Sequence, residues 1–148
     1  MVDLFHSHVD PQSLEAVPKE FVKENSRIRC LISTIAFGMG VQVPLLTYVI
    51  HWGPPSSVLD YWQEVGRCAR GGGSGKAFLY TPAYSRNPRM VEKPMLDIVS
   101  SSTKQCIRKA VLKQLKLEAI SDSEIDKCCY HDRCCSFCDA KAKDASAE

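Results

Sequence analysis

Apolar and polar positions change their period several times along this 148-residue chain. Residues 3–9, DLFHSHV, read as the end of a strand and a turn. Asp10 or Ser13 can cap a helix, and Leu14, Val17, Phe21 and Val22 recur at helical spacing, predicting a helix to about Asn25. Pro18 lies inside it; a proline removes a backbone donor and costs about 3 kcal/mol in a helix interior. A kink, a late start near Pro18 or a tolerated defect is expected. Arg27 to Thr34 alternates and then turns apolar, predicting a strand in which Cys30 is a small buried side chain. A Gly-rich turn, Ala36 to Gly40, precedes a second buried strand, Thr47 to His51. Strands separated by a possible crossover suggest a parallel sheet.

Pro54-Pro55-Ser56-Ser57 turns the chain into a helix capped by Ser56 or Ser57, with Val58, Leu59, Trp62 and Val65 as its apolar stripe. Its end is expected to carry Gln63, Glu64, Arg67 and Arg70. A Gly-rich loop, Gly71 to Gly75, leads to a third strand, Ala77 to Tyr80. A linker with a short helix runs from Tyr84 to about Pro94, and another short helix from Met95 to Ser102. Thr103 to Leu117 is the clearest helix: Cys106, Ile107, Ala110, Val111, Gln114 and Leu115 form one face. The other carries Lys104, Arg108, Lys109, Lys113 and Lys116, either a solvated face or a phosphate-tracking surface.

Composition narrows this reading. Hydrophobic residues make up 45%, which excludes a disordered chain, and the net charge of +2 is too faint to announce a nucleic-acid partner by itself. No apolar run approaches a membrane span, and Met1 to His8 lacks the order of a secretory signal. Five of the eight cysteines fall between Cys128 and Cys138. Without an export signal, that cluster points to metal rather than disulfides. Trp52 either packs or stacks on a base. His6 and His8 read as polar residues at a strand exit before they read as ligands.

Two segments carry a resemblance. Ser33 to Val41, STIAFGMGV, resembles motif V of RecQ-type superfamily 2 helicases, whose core is AFGMGV. Gln63 to Gly72, QEVGRCARGG, resembles their motif VI, QExGRAGRDG, and His51, Gly53, Pro55, Ser57 and Tyr61 fit the spacer. Residues 3–9 are similar to motif IV, where family members continue upstream, so a fragment, partial gene model or truncated isoform is expected. The resemblance implies an α/β fold, a RecA-like parallel sheet flanked by helices over residues 1–83. A small helical zinc-binding subdomain over 84–139 and a disordered tail over 140–148 complete the expected architecture.

The resemblance also implies roles. Arg70 is the arginine finger toward the γ-phosphate, Arg67 its neighbour, and Gln63 helps position the site. A forked, permanently charged guanidinium suits that task, and removing such a finger costs about 10³–10⁵ in rate. Thr34 and the Gly38–Gly40 turn lie against the DNA backbone and relay the nucleotide state. Gln42 stands where many relatives carry Asp; it keeps hydrogen bonding and loses the charge. Cys68-Ala69 replaces Ala-Gly, and Gly71 replaces Asp.

Cys135-x-x-Cys138 has a zinc-knuckle spacing and needs a further ligand pair. Cys106 with Cys128 completes four thiolates, with Cys129 or His131 as substitutes, an arrangement similar to the RecQ zinc-binding subdomain. Four sulfurs leave no open position on Zn²⁺, so the metal is expected to be structural.

The parent activity implied is 3′–5′ unwinding of DNA, at a single strand or unwinding junction, driven by ATP and Mg²⁺, in the nucleus. The sequence holds neither GxxxxGK[ST] nor an Asp-Glu-x-His box. ATP and Mg²⁺ would bind only with another lobe, and this chain alone is expected to be inactive. The alternative is an inert module that binds DNA or a partner.

Overall fold

A computed structural model describes residues 1–34, 43, 46–70, 72–116, 121–127 and 134–145. The protein is α/β, with parallel strands and helices. Its chain forms two compact units, residues 1–50 with 63–78, and residues 51–62 with 79–148.

In the first unit, β1 (Val2–Phe5) and β2 (Cys30–Ser33) pair in parallel, from Val2 opposite Cys30 to Phe5 opposite Ser33. The crossover between them is α1 (Pro11–Phe21). Asp10 caps it, accepting from the Ser13 N–H at 2.9 Å, and Pro11 occupies the first turn, where no donor is missed. The helix runs on through Pro18, so the defect is tolerated within a helix that stops at Phe21. Phe5, Val17, Ile28 and Val43 form the buried core, joined by Leu14, Phe21, Val22, Leu31 and Leu46. That apolar stripe is what holds α1 in place despite the proline.

The pleat explains one difference from the sequence reading. Alternate residues of a strand face opposite sides; Leu31 is half-buried, while Cys30 is exposed beside Ile32. Cys30 is therefore not a buried residue. It belongs to the outer face of the β1–β2 pair, with Val2 and Leu4.

β3 (Tyr48–Trp52) and β4 (Lys76–Tyr80) form a second two-stranded sheet. Lys76 N–H donates to Thr47 O at 2.9 Å, and Gly53 N–H to Tyr80 O at 2.7 Å, so the two strands run the same way. Between them lies α2 (Val58–Val65). The Ser57 hydroxyl accepts from the Asp60 N–H at 3.0 Å and the Ser56 hydroxyl donates to the Asp60 carboxylate at 2.6 Å. Val58 and Tyr61 are buried, and Leu59 and Trp62 are exposed. The buried stripe thus runs through Tyr61, whose ring lies 5.4 Å from that of His51.

The second unit is largely helical. A 3₁₀ turn (Ala83–Ser85) precedes α3 (Lys93–Ser101), α4 (Ile107–Leu115), α5 (Asp122–Lys127) and α6 (Ser136–Ala145). Met95, Ile98 and Val99 of α3, Ala110 and Val111 of α4, and Ile125 of α5 are among its buried side chains, with Met95 wholly enclosed. Residues 140–145 continue α6 where the sequence reads as a tail. Ala and Lys are strong helix formers, and an exposed helix needs no apolar stripe once its first turn is anchored.

Candidate metal centre and arginine turn

The arginine motif sits where α2 gives way to turns. The sequence reading placed Arg67 and Arg70 on a helix end; α2 stops at Val65, and both lie in the turns that follow. Arg67 N–H donates to Glu64 O at 3.2 Å and Cys68 N–H to Val65 O at 3.0 Å, tighter bonding than α-helical. Ala69 then adopts φ +59, a left-handed conformation that glycine takes freely and alanine does not. Its N–H donates to Leu46 O at 2.9 Å, tying the turn to the segment before β3. The family form has glycine at this position, so the substitution falls where the backbone least tolerates one.

Around this turn, Gln63 and Arg70 are exposed and Arg67 is half-buried. Arg70 Nε donates to Gly66 O at 3.0 Å, which folds the side chain back along its own turn. Among the described residues its remaining N–H donors meet no partner. The Cys68 thiol points to Thr47 O at 3.4 Å and Lys76 O at 3.6 Å, and burial raises its pKa. This cysteine is a packing residue, since the neutral thiol is a poor nucleophile. Gly75 is required beside it: a Cβ there would lie 2.9 Å from the Cys68 Cβ. Thr34 follows β2, its N–H donating to Phe5 O at 3.2 Å. Gly38, Gly40, Gln42 and Gly71 lie outside the described residues.

The second site is sulfur. Cys106 occupies the cap position before α4, in extended backbone rather than within a helix as the sequence suggested. Cys134 and Cys135 lie in the bend before α6, and Cys138 in its first turn. The four Sγ atoms lie within 4.8 Å of one another. Cys106 and Cys134 approach to 3.6 Å, and Cys135 and Cys138 to 3.7 Å. A disulfide needs about 2.05 Å. A zinc tetrathiolate with Zn–S near 2.3 Å has sulfur–sulfur edges of about 3.8 Å, so the set fits one tetrahedral metal.

Electrostatics agree with the distances. Burial, reinforced by hydrogen bonds with Cys135 and Cys106, pushes the Cys138 thiol up to about 12. Sulfurs crowded this way cannot ionise together unless a cation sits among them. Tyr61 is likewise raised, by burial first and then by Cys135.

The geometry brings together Cys106, Cys135 and Cys138 of the set named from sequence. The fourth sulfur is that of Cys134. Cys128, with Cys129 and His131, lies outside the described residues. The signal for Cys134 was present: at a bend, two adjacent residues can present both side chains to one point, so Cys134-Cys135-x-x-Cys138 supplies three ligands from five residues.

Residues 1–72 match the helicase conserved C-terminal domain. The ATP-dependent DNA helicase RecQ of Pasteurella multocida is 29% identical over 126 residues, 84% of this chain and 18% of that protein. Over residues 1–72 this chain is similar to the C-terminal domain of RecQ-type helicases. A putative ATP-dependent RNA helicase of Acanthamoeba polyphaga mimivirus is 26% identical over 145 residues, 89% of this chain and 26% of that protein. The bifunctional 3′-5′ exonuclease/ATP-dependent helicase of Mus musculus is 28% identical over 145 residues, 84% of this chain and 10% of that protein. The chain thus spans about a quarter of the first relative's length and less of the others. No described helix is long and apolar enough to cross a membrane.

Proposed function

We propose that this chain supplies the second RecA-like lobe, residues 1–83, and the zinc-binding subdomain, residues 84–139, of an ATP-dependent 3′–5′ DNA helicase. Arg70 is its arginine finger, Arg67 the adjoining phosphate ligand and Gln63 a positioning group. Thr34, Gly38, Gly40 and Gln42 couple nucleotide to strand. The observation that carries this reading is the pairing, in one chain, of a helicase C-terminal domain with a sulfur tetrahedron. Arg70 supports it too: an exposed guanidinium on a short, tied turn is preorganised to meet charge that grows in a transition state.

Zn²⁺ would be held by Cys106, Cys134, Cys135 and Cys138, where it fastens the bend before α6 to the start of α4. When bound, the metal supplies structure, since its four sulfurs exclude water from the coordination sphere. ATP and Mg²⁺ require a phosphate loop and a magnesium ligand, and no such motif stands in this sequence. The chain alone therefore holds DNA without turnover, and the assembled enzyme works on DNA in repair or recombination, in the nucleus.

The test measures ATP hydrolysis and strand binding by the purified chain with single-stranded DNA. Binding without hydrolysis is expected, unchanged in Arg70→Ala. Hydrolysis by the chain alone, abolished by Arg70→Ala, would show that the site is complete without another lobe and refute the division of labour.

A further inference from the structure

The four sulfurs of the metal centre fall into two pairs with none left over. Cys106 and Cys134 approach to 3.6 Å, and Cys135 and Cys138 to 3.7 Å. None of the four is in a disulfide. Pairing the neighbours Cys134 and Cys135 instead would close a ring on one peptide unit and strain its planarity. The centre also has a way in. Cys134, Cys135 and Cys138 are half-buried. Cys106 is only 5% exposed, yet with Cys138 it lines a cavity of about 370 Å³ in the helical unit. A water takes about 30 Å³ of liquid volume, so the hollow admits an oxidant little larger than water. Lys104, Lys113 and Lys141 line it too, and no acidic residue does. Holding a structural cation requires four sulfurs, but neither an entrance nor sulfurs matched in pairs.

From these observations we propose that the sulfur centre is a peroxide-sensitive clasp, which gives up its metal as Cys106 pairs with Cys134 and Cys135 with Cys138. This behaviour rests on the reading of the four sulfurs as a zinc site, and it is a regulation of that site. In each pair one Sγ attacks a peroxide oxygen. An S–O bond forms, the O–O bond breaks, and the departing hydroxide takes a proton from a lysine ammonium of the hollow, which water restores. The partner Sγ then attacks the sulfenic sulfur. The S–S bond forms, the S–O bond breaks, and the second hydroxide takes a proton to become water. Each pair gives two electrons and reduces one peroxide to two waters. The four thiolates thus consume two peroxides and four protons. No thiolate is then left to hold a dication, and the Cys106–Cys134 bond keeps the bend before α6 tied to the start of α4. Reduction by a dithiol reverses both bonds.

The experiment loads the full chain with Zn²⁺, as the Cys30→Ser variant, which lacks one exposed thiol outside the centre, and adds hydrogen peroxide in steps. A metallochromic dye reads released zinc, and mass mapping of alkylated peptides reads the disulfides. One zinc is expected to be released for every two peroxides consumed, with Cys106–Cys134 and Cys135–Cys138 as the linked peptides. A dithiol with added Zn²⁺ should then restore the bound metal. Zinc retained under excess peroxide would overturn the proposal. Release through sulfinic or sulfonic acids, which a dithiol cannot reverse, would overturn it too, as would linkage of Cys128 or Cys129 in place of Cys134. A chain that takes up no zinc at all would refute the metal reading and this clasp together. The other adverse results leave the metal reading standing, so the two failures are distinguishable.

Discussion

The sheet-bearing unit and the helical unit bury their apolar residues in opposite ways. In β1 and β2, Val2, Leu4 and Ile32 are 60%, 52% and 55% exposed, while Phe5 on the other face is buried. Apolar residues on both faces are the mark of a strand made to be covered on both sides. In the helical unit, Met95 is 0% exposed and Val111 1%. That unit closes its own core, and it closes it beside four converging sulfurs. In the proposed function the first region would act through its backbone turns, and the second through side chains that a metal would lock.

The largest effect expected is on the sulfur side. Structural zinc contributes apparent free energies of about 10–16 kcal/mol in zinc-finger peptides, more than any single side chain here. Chelation should therefore unfold the region from α4 to α6, read as lost helical circular dichroism and newly reactive thiols, and leave the β1–β2 unit's amide protection in place. If protection is lost in both regions together, the contrast between them is wrong. The ligand set is tested in the same assay. Cys134→Ser is expected to lose the metal, and Cys128→Ser to keep it.

The next contrast is packing. Met95→Ala removes an enclosed side chain and should cost about 2–5 kcal/mol. Ile32→Ala, at a half-exposed position, should cost about 1 kcal/mol or less. Denaturant midpoints of the two variants would separate these values. Equal losses would mean that the outer face of β1–β2 is covered in solution.

Much of this was legible in the sequence, and the exceptions share a cause. Helix α1 and strands β2, β3 and β4 follow from apolar period, and Asp10 from capping chemistry. What was missed depends on where a turn points. The end of α2 at Val65 was marked by Gly66, but Gln63, Glu64, Arg67 and Arg70 suit a helix and carried the pattern past it. Tyr61 was passed over as a core residue for Trp62, one position away, because a short helix leaves its rotation undetermined. Cys134 was hidden by its neighbour. The exposure of Cys30 is a property of which face is covered, and an apolar run on both faces does not say. The loss of glycine at position 69 was visible as a departure from the family form, but its consequence needed the φ angle.

That position gives a smaller effect on the sheet side. An alanine at φ +59 carries a steric cost that glycine avoids. Ala69→Gly should stabilise the turn by about 1 kcal/mol, offset in part by the greater freedom of glycine in the unfolded chain. A raised denaturant midpoint would confirm it; a lowered one would mean that the entropy of the unfolded chain outweighs the strain.

The smallest effect separates the units by pH. Hydrogen bonds from Ser13 hold the exposed Asp10 carboxyl below its usual 3.8. A carboxylate whose folded pKa is depressed adds stability that is fully present above its unfolded value and is lost as pH falls through the folded one. Asp10→Ala should therefore lower the melting midpoint of the β1–β2 unit at neutral pH. The difference from wild type should shrink as pH drops below 3.8. With metal bound, the helical unit is expected to respond at higher pH than Asp10, because a metal must outcompete protons for sulfur. Acid titration of the wild type should thus show two events, release of metal with loss of α4 to α6 first and loss of the α1 cap at lower pH. A single transition, or one in the reverse order, would show that the cap and the sulfurs do not act independently.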